Sequence, residues 1–221
     1  MKKIILSSCL SLLIATSFAQ SEKYLKAMQD KITATDTTRD VTGLKDLSAA
    51  FERIADAEKT QWLPYYYAAL TEVNAGYRTY MSNQGNAEAL NGLDPIAEKS
   101  EQLLNKAEAL SKDNSEIYVV RKMIATLRMM VNPMSRYMQY GPVAQQALET
   151  AKQLNPNNPR VYYLEGLDKF QTPEQYGGSK TEAKKLFDQA LQKFDSFVPA
   201  GTMDPKWGRA ETQYFLSLIK S

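Results

Sequence analysis

Apolar residues in this chain recur at steps of three and four, as in Leu44, Leu47, Phe51, Ile54 and Ala55, with polar residues between them. That period lines one face of an α-helix; no stretch sustains the two-residue alternation, rich in Val, Ile and Thr, that marks a half-buried strand. Start signals punctuate the pattern. Asp94-Pro95, Asn158-Pro159 and Asp204-Pro205 each pair an N-cap oxygen with a proline suited to the first helical turn. Asp113 with Glu116, and Ser179 with Glu182, have capping-box spacing. The pattern predicts an all-α chain of nine helices, near 21–35, 41–58, 62–81, 94–111, 114–131, 140–154, 158–170, 179–196 and 205–219.

Alternate helices share a template. Leu47, Ser100, Ala144 and Ala183 are followed four residues on by Phe51, Leu104, Leu148 and Phe187, and three later by Ile54, Ala107, Ala151 and Ala190. In the first three copies an aromatic follows eleven residues further on, at Tyr65, Tyr118 and Tyr162. One spacing used four times is an internal repeat. The best-filled copy, Ala144, Leu148, Ala151, Pro156, Tyr162 and Gly166, resembles the second helix of one tetratricopeptide repeat running into the first helix of the next. Lys122 departs from the pattern, standing where Ala69 and Gly166 stand in other copies.

The resemblance implies a right-handed superhelix of about four helical hairpins, closed by a C-terminal capping helix whose late start is marked by Trp207. It also implies a concave groove, lined by the first helix of each pair, that holds a peptide or extended segment. By spacing, Tyr66, Val73, Asn74, Met123, Arg160, Tyr163, Leu167 and Phe170 face that groove. Either the groove is open, offering an adaptable aromatic and Met surface, or its residues pack on one another or on the N-terminal helix. Trp62, Tyr65 and Tyr67 read as packing between repeats.

Three connections are longer than a standard 34-residue repeat allows: Ser82–Leu93, Asn132–Tyr140 and Gln171–Gly178. All three join the helices of one pair and so emerge along one edge, where Met134, Tyr137, Met138, Tyr140 and Tyr176 supply soft, aromatic contact surface. The last connection, Thr172-Pro173-Glu174-Gln175-Tyr176-Gly177-Gly178-Ser179, resembles a turn of exported helical-repeat proteins, some associated with periplasmic solute uptake.

The N-terminus changes the picture. Met1-Lys2-Lys3, an apolar run from Ile4 to Ile14 and a small-residue stretch ending in Ala19 describe a signal peptide at 1–19, with the repeat domain at 20–221. The rival lipoprotein box Leu6-Ser7-Ser8-Cys9 leaves two apolar residues ahead of it, too few to engage the export machinery. The expected product is periplasmic or secreted, with no transmembrane segment. Losing Lys2 and Lys3 lowers the 27 basic residues to 25, which balance the 25 acidic ones. A chain with no basic surplus has no global attraction to phosphate backbones, so no nucleic acid partner is expected, a local basic patch aside.

Candidate chemistry is sparse. There is no histidine, and the lone cysteine leaves with the signal peptide. That removes the commonest general base, the usual partner of a nucleophilic serine and most ligands for zinc, copper, haem or iron–sulfur sites. Glu98, Glu101, Glu108, Asp56 and Glu58 remain, at spacings typical of solvated helix faces. The expectation is a non-enzymatic protein with no cofactor and no metal, binding a protein or peptide as a scaffold in the cell envelope. The alternative is a periplasmic carrier of a small ligand.

Overall fold

The computed structural model describes residues 22–84 and 86–220, all helix and connection with no strand among them. The export segment expected at 1–19, with Cys9, lies outside the described residues. A helix over 22–35 (α1) leads into α2 (Val41–Glu58), α3 (Trp62–Ser82), a short α4 (Ala87–Asn91), α5 (Leu93–Leu110), α6 (Ser115–Met130), α7 (Pro133–Leu154), α8 (Pro159–Gln171), α9 (Lys180–Ser196) and α10 (Arg209–Lys220). The fold is all-α, and among the described residues no helix is long and apolar enough to cross a membrane.

Neighbours in sequence pack as pairs: α3 with α5, α6 with α7, and α8 with α9, while α3 also lies on α2 and α6. The template explains the closeness. Ala107, Ala151 and Ala190 are fully buried where helix backbones approach, and Phe51, Leu104 and Phe187 fill the space beside them. Gly166 serves the same end, since a Cβ there would lie 2.7 Å from the Phe187 ring. Small polar residues stitch the helices together without widening them: Ser48 donates to the Ala68 carbonyl, and Ser115 to that of Ala151.

Several boundaries differ from expectation. The stretch Asn132–Tyr140 is not a turn. Asn132 caps it by accepting from the Ser135 amide, and Pro133 opens the first turn, so α7 runs unbroken from Pro133 through the internal Pro142. Met134, Tyr137, Met138 and Tyr140 therefore stand on a helix. The 82–93 connection contains α4, and the cap at the start of α6 is Asn114 rather than Asp113. The last helix begins at Arg209 rather than 205, because residues 197–208 cross other helices as an irregular strap. Gln171–Gly178 is a connection as expected, with a short 3₁₀ turn at Glu174–Tyr176. There Gly177 takes a positive φ, and Gly178 lies too close to the Thr172 carbonyl for any side chain.

Candidate ligand-binding face

Helices α3, α6 and α8 share a face whose two halves differ. In the first, α3 is buried on every side from Leu63 to Val73. Cover beyond α2 and α5 comes from the strap and from α1, whose Tyr24 and Met28 join the core. Tyr67 donates to the Met203 carbonyl (2.8 Å), Trp207 Nε1 donates to the Tyr66 hydroxyl (2.9 Å), and Arg160 donates to the Pro205 carbonyl.

Arg160 is the hub. It is fully buried, its Nε lies 3.0 Å from Glu116 Oε2, and its guanidinium lies over the Phe197 and Trp207 rings. Glu116 also accepts from Asn158 (2.9 Å) and Tyr66 (3.3 Å). Burial pushes the Glu116 carboxyl up, while Arg160, Tyr66 and Asn158 pull it back. The same burial raises Tyr66, and it raises Tyr24 to about 12 with help from Glu58 and Asp204. Breaking such a pair is costly because the surviving charge has no water to turn to.

The second half begins beyond Val73. Asn74 and Tyr77 to Tyr80 on α3, Arg128 to Met130 on α6, and Leu167, Asp168 and Phe170 on α8 are only half-buried. Tyr77 donates to the Met123 carbonyl (2.9 Å), tying α3 to α6, and Lys122 donates to Asp168 Oδ1 (2.6 Å), tying α6 to α8. Burial pushes the Tyr77 hydroxyl up, and the nearby Asp168 carboxylate adds to it. Phe170 meets Phe187 and Phe215 edge-on or tilted, and it also borders a shallow cleft of about 350 Å³ between Lys169 and Lys180.

The eight residues expected in a groove thus divide. Tyr66, Val73 and Arg160 are fully buried, and Met123 and Tyr163 nearly so, packed on neighbouring side chains rather than lining open space. Asn74, Leu167 and Phe170 remain half-buried, alongside Tyr77 and Met130, which spacing alone did not single out. Among the edge residues, Met134 (86% exposed), Met138 (82%), Tyr137 and Tyr176 face solvent, and Tyr140 is half-buried. No residue from Pro133 to Val143 is buried; Arg136 holds this part of α7 to Asp94 through two bonds of 2.6 and 2.8 Å. Glu101 and Glu108 pair with Arg128 and Arg121, and Asp56 accepts from Tyr65.

No protein-family model matches the chain, and no curated protein does. A solved structure does: the HusA haemophore from Porphyromonas gingivalis, at 31% sequence identity and a TM-score of 0.76, over 89% of this chain and 92% of that one. The chain belongs to the family of that haemophore.

Proposed function

We propose that this protein is an exported carrier that binds a haem-class ligand, a planar apolar macrocycle, on the half-open end of the α3–α6–α8 face. Kinship with a haemophore along nearly the whole chain carries the reading. The local chemistry agrees with it. Tyr77, Met130, Leu167 and Phe170 offer aromatic, thioether and aliphatic surface that keeps partial access to solvent, whereas the other half of the face is filled. Binding rather than catalysis is the role we assign, and the paired helices are read as divergent tetratricopeptide-like hairpins. The small-ligand reading is better supported than the scaffold reading that the sequence favoured.

The test is titration of the purified protein with haemin, followed by Soret absorbance and quenching of Trp fluorescence. Saturable one-site binding is expected. Leu167→Ala combined with Met130→Ala should weaken it about tenfold, the scale of one or two lost apolar contacts. Met138→Ala on α7 should leave it unchanged. Absence of saturable binding would remove the reading.

One observation favours a second role. The first turns of α7 present Met134, Tyr137 and Met138 to solvent on a segment that buries nothing, which suits contact with a protein partner. In that role, Met134→Ala with Met138→Ala should abolish capture of an envelope protein without altering haemin affinity.

A further inference from the structure

We propose that Lys122 is the anchor for a carboxylate of the bound ligand, and that Asp168 occupies its place until the ligand arrives. The inference rests on the haem-class reading above and adds which ligand group is recognised and by which residue.

Three observations converge on Lys122. First, its position in the repeat calls for a small residue, since Ala69 and Gly166 fill it in other copies. A long cation at a site of close helix approach needs a purpose that packing does not provide. Second, the side chain is only 2% exposed, yet among the described residues its ammonium has a single polar contact, the charged hydrogen bond to Asp168 Oδ1 at 2.6 Å. An ammonium carries three donors, so two of them lack a protein acceptor. Third, that single partner is itself 47% exposed, at the end of a short side chain with water beside it. Asp168 can therefore turn to water at little cost, whereas Lys122 cannot follow it.

The surroundings define what replaces it. Tyr77 lies near the Asp168 carboxylate and donates to the carbonyl of Met123, the residue next to Lys122, while Leu167 adjoins Asp168 on α8. A ligand fitting this site has an extended apolar body and at least one carboxylate, which a macrocycle bearing propionate arms provides. On binding, the ligand carboxylate takes the Lys122 donors, Asp168 is released to solvent, and the buried charge remains neutralised throughout. An exchange of this kind favours the acid over its ester, because an ester leaves the Lys122–Asp168 pair intact and gains nothing from it.

The experiment compares haemin with haemin dimethyl ester on the wild-type protein, Lys122→Met and Asp168→Asn, with circular dichroism confirming the fold of each. The wild type should bind the diacid at least tenfold more tightly than the diester. Lys122→Met should lose that preference while keeping its affinity for the diester, and Asp168→Asn should bind the diacid several-fold more tightly. Equal binding of acid and ester by the wild type, or a preference that survives in Lys122→Met, overturns the anchor and leaves the haem reading standing. Failure of both compounds to bind overturns both. Should Lys122→Met not fold, Lys122→Gln carries the same comparison.

Discussion

Arg160 and Lys122 are both buried cations on the same three-helix face, and they are treated in opposite ways. Arg160 is held from several sides: a buried carboxylate, a backbone carbonyl and two aromatic rings meet its guanidinium, with Nη1 alone lacking an acceptor, and Asn158 and Tyr66 hold the carboxylate in turn. Lys122 has one half-exposed partner. The difference follows from side-chain chemistry, since a planar fork can be fixed in several directions at once and a point charge on a flexible stem exchanges partners easily. One half of the face is therefore locked and the other half is left able to respond.

The largest expected effect tests the lock. Arg160→Ala strands Glu116 without its counter-ion and should cost about 3–5 kcal/mol in denaturant unfolding. Lys122→Met, which removes an under-partnered charge and leaves Asp168 free in water, should change stability by less than about 1 kcal/mol. Comparable losses in the two variants would erase the distinction.

Acid titration sharpens the comparison further. The folded state holds the Glu116 carboxyl above its ordinary range through burial. The stability linked to this group is therefore fullest below the ordinary glutamate range and is lost as pH rises through the raised folded value. Measured across that window, wild type should gain stability relative to Glu116→Gln as the solution is acidified. The reverse slope would mean that the Arg160 pairing, not burial, governs the site.

The smallest effect concerns α7. Arg136 holds the Asp94 carboxyl below its usual range, first through hydrogen bonding, and both groups are partly exposed. Arg136→Ala should cost under about 1 kcal/mol of global stability, as surface pairs do. It should nevertheless speed amide exchange from Met134 to Gly141, because little else holds that segment down. Unchanged exchange there would show the turns to be stable on their own.

Much of this was legible in the residues. The three- and four-residue steps gave the helices, and the template placed Ala107, Ala151, Ala190, Phe51, Leu104 and Phe187 correctly in the core. The start of α7 was missed: Asn132–Tyr140 read as a turn, although Asn132-Pro133 opens the helix as Asn158-Pro159 opens α8. Spacing could not show which part of the inner face is covered. Spacing puts Arg160 and Phe170 both toward the inner face of α8, and a distant segment returns to cover the first. Lys122 was visible as an exception to the repeat, but its partner lies 46 residues away and no local rule connects them.

The strap carries a consequence for how the molecule is made. Tyr67 meets Met203 across 136 residues of sequence, and Tyr66 meets Trp207 across 141. Pairings so far apart form late and slowly. During synthesis, the aromatic end of α3 must wait for nearly the whole remaining chain before it is shielded, so nascent or shortened chains present a sticky surface that the finished protein hides. Chaperone demand and losses to proteolysis should concentrate in that interval.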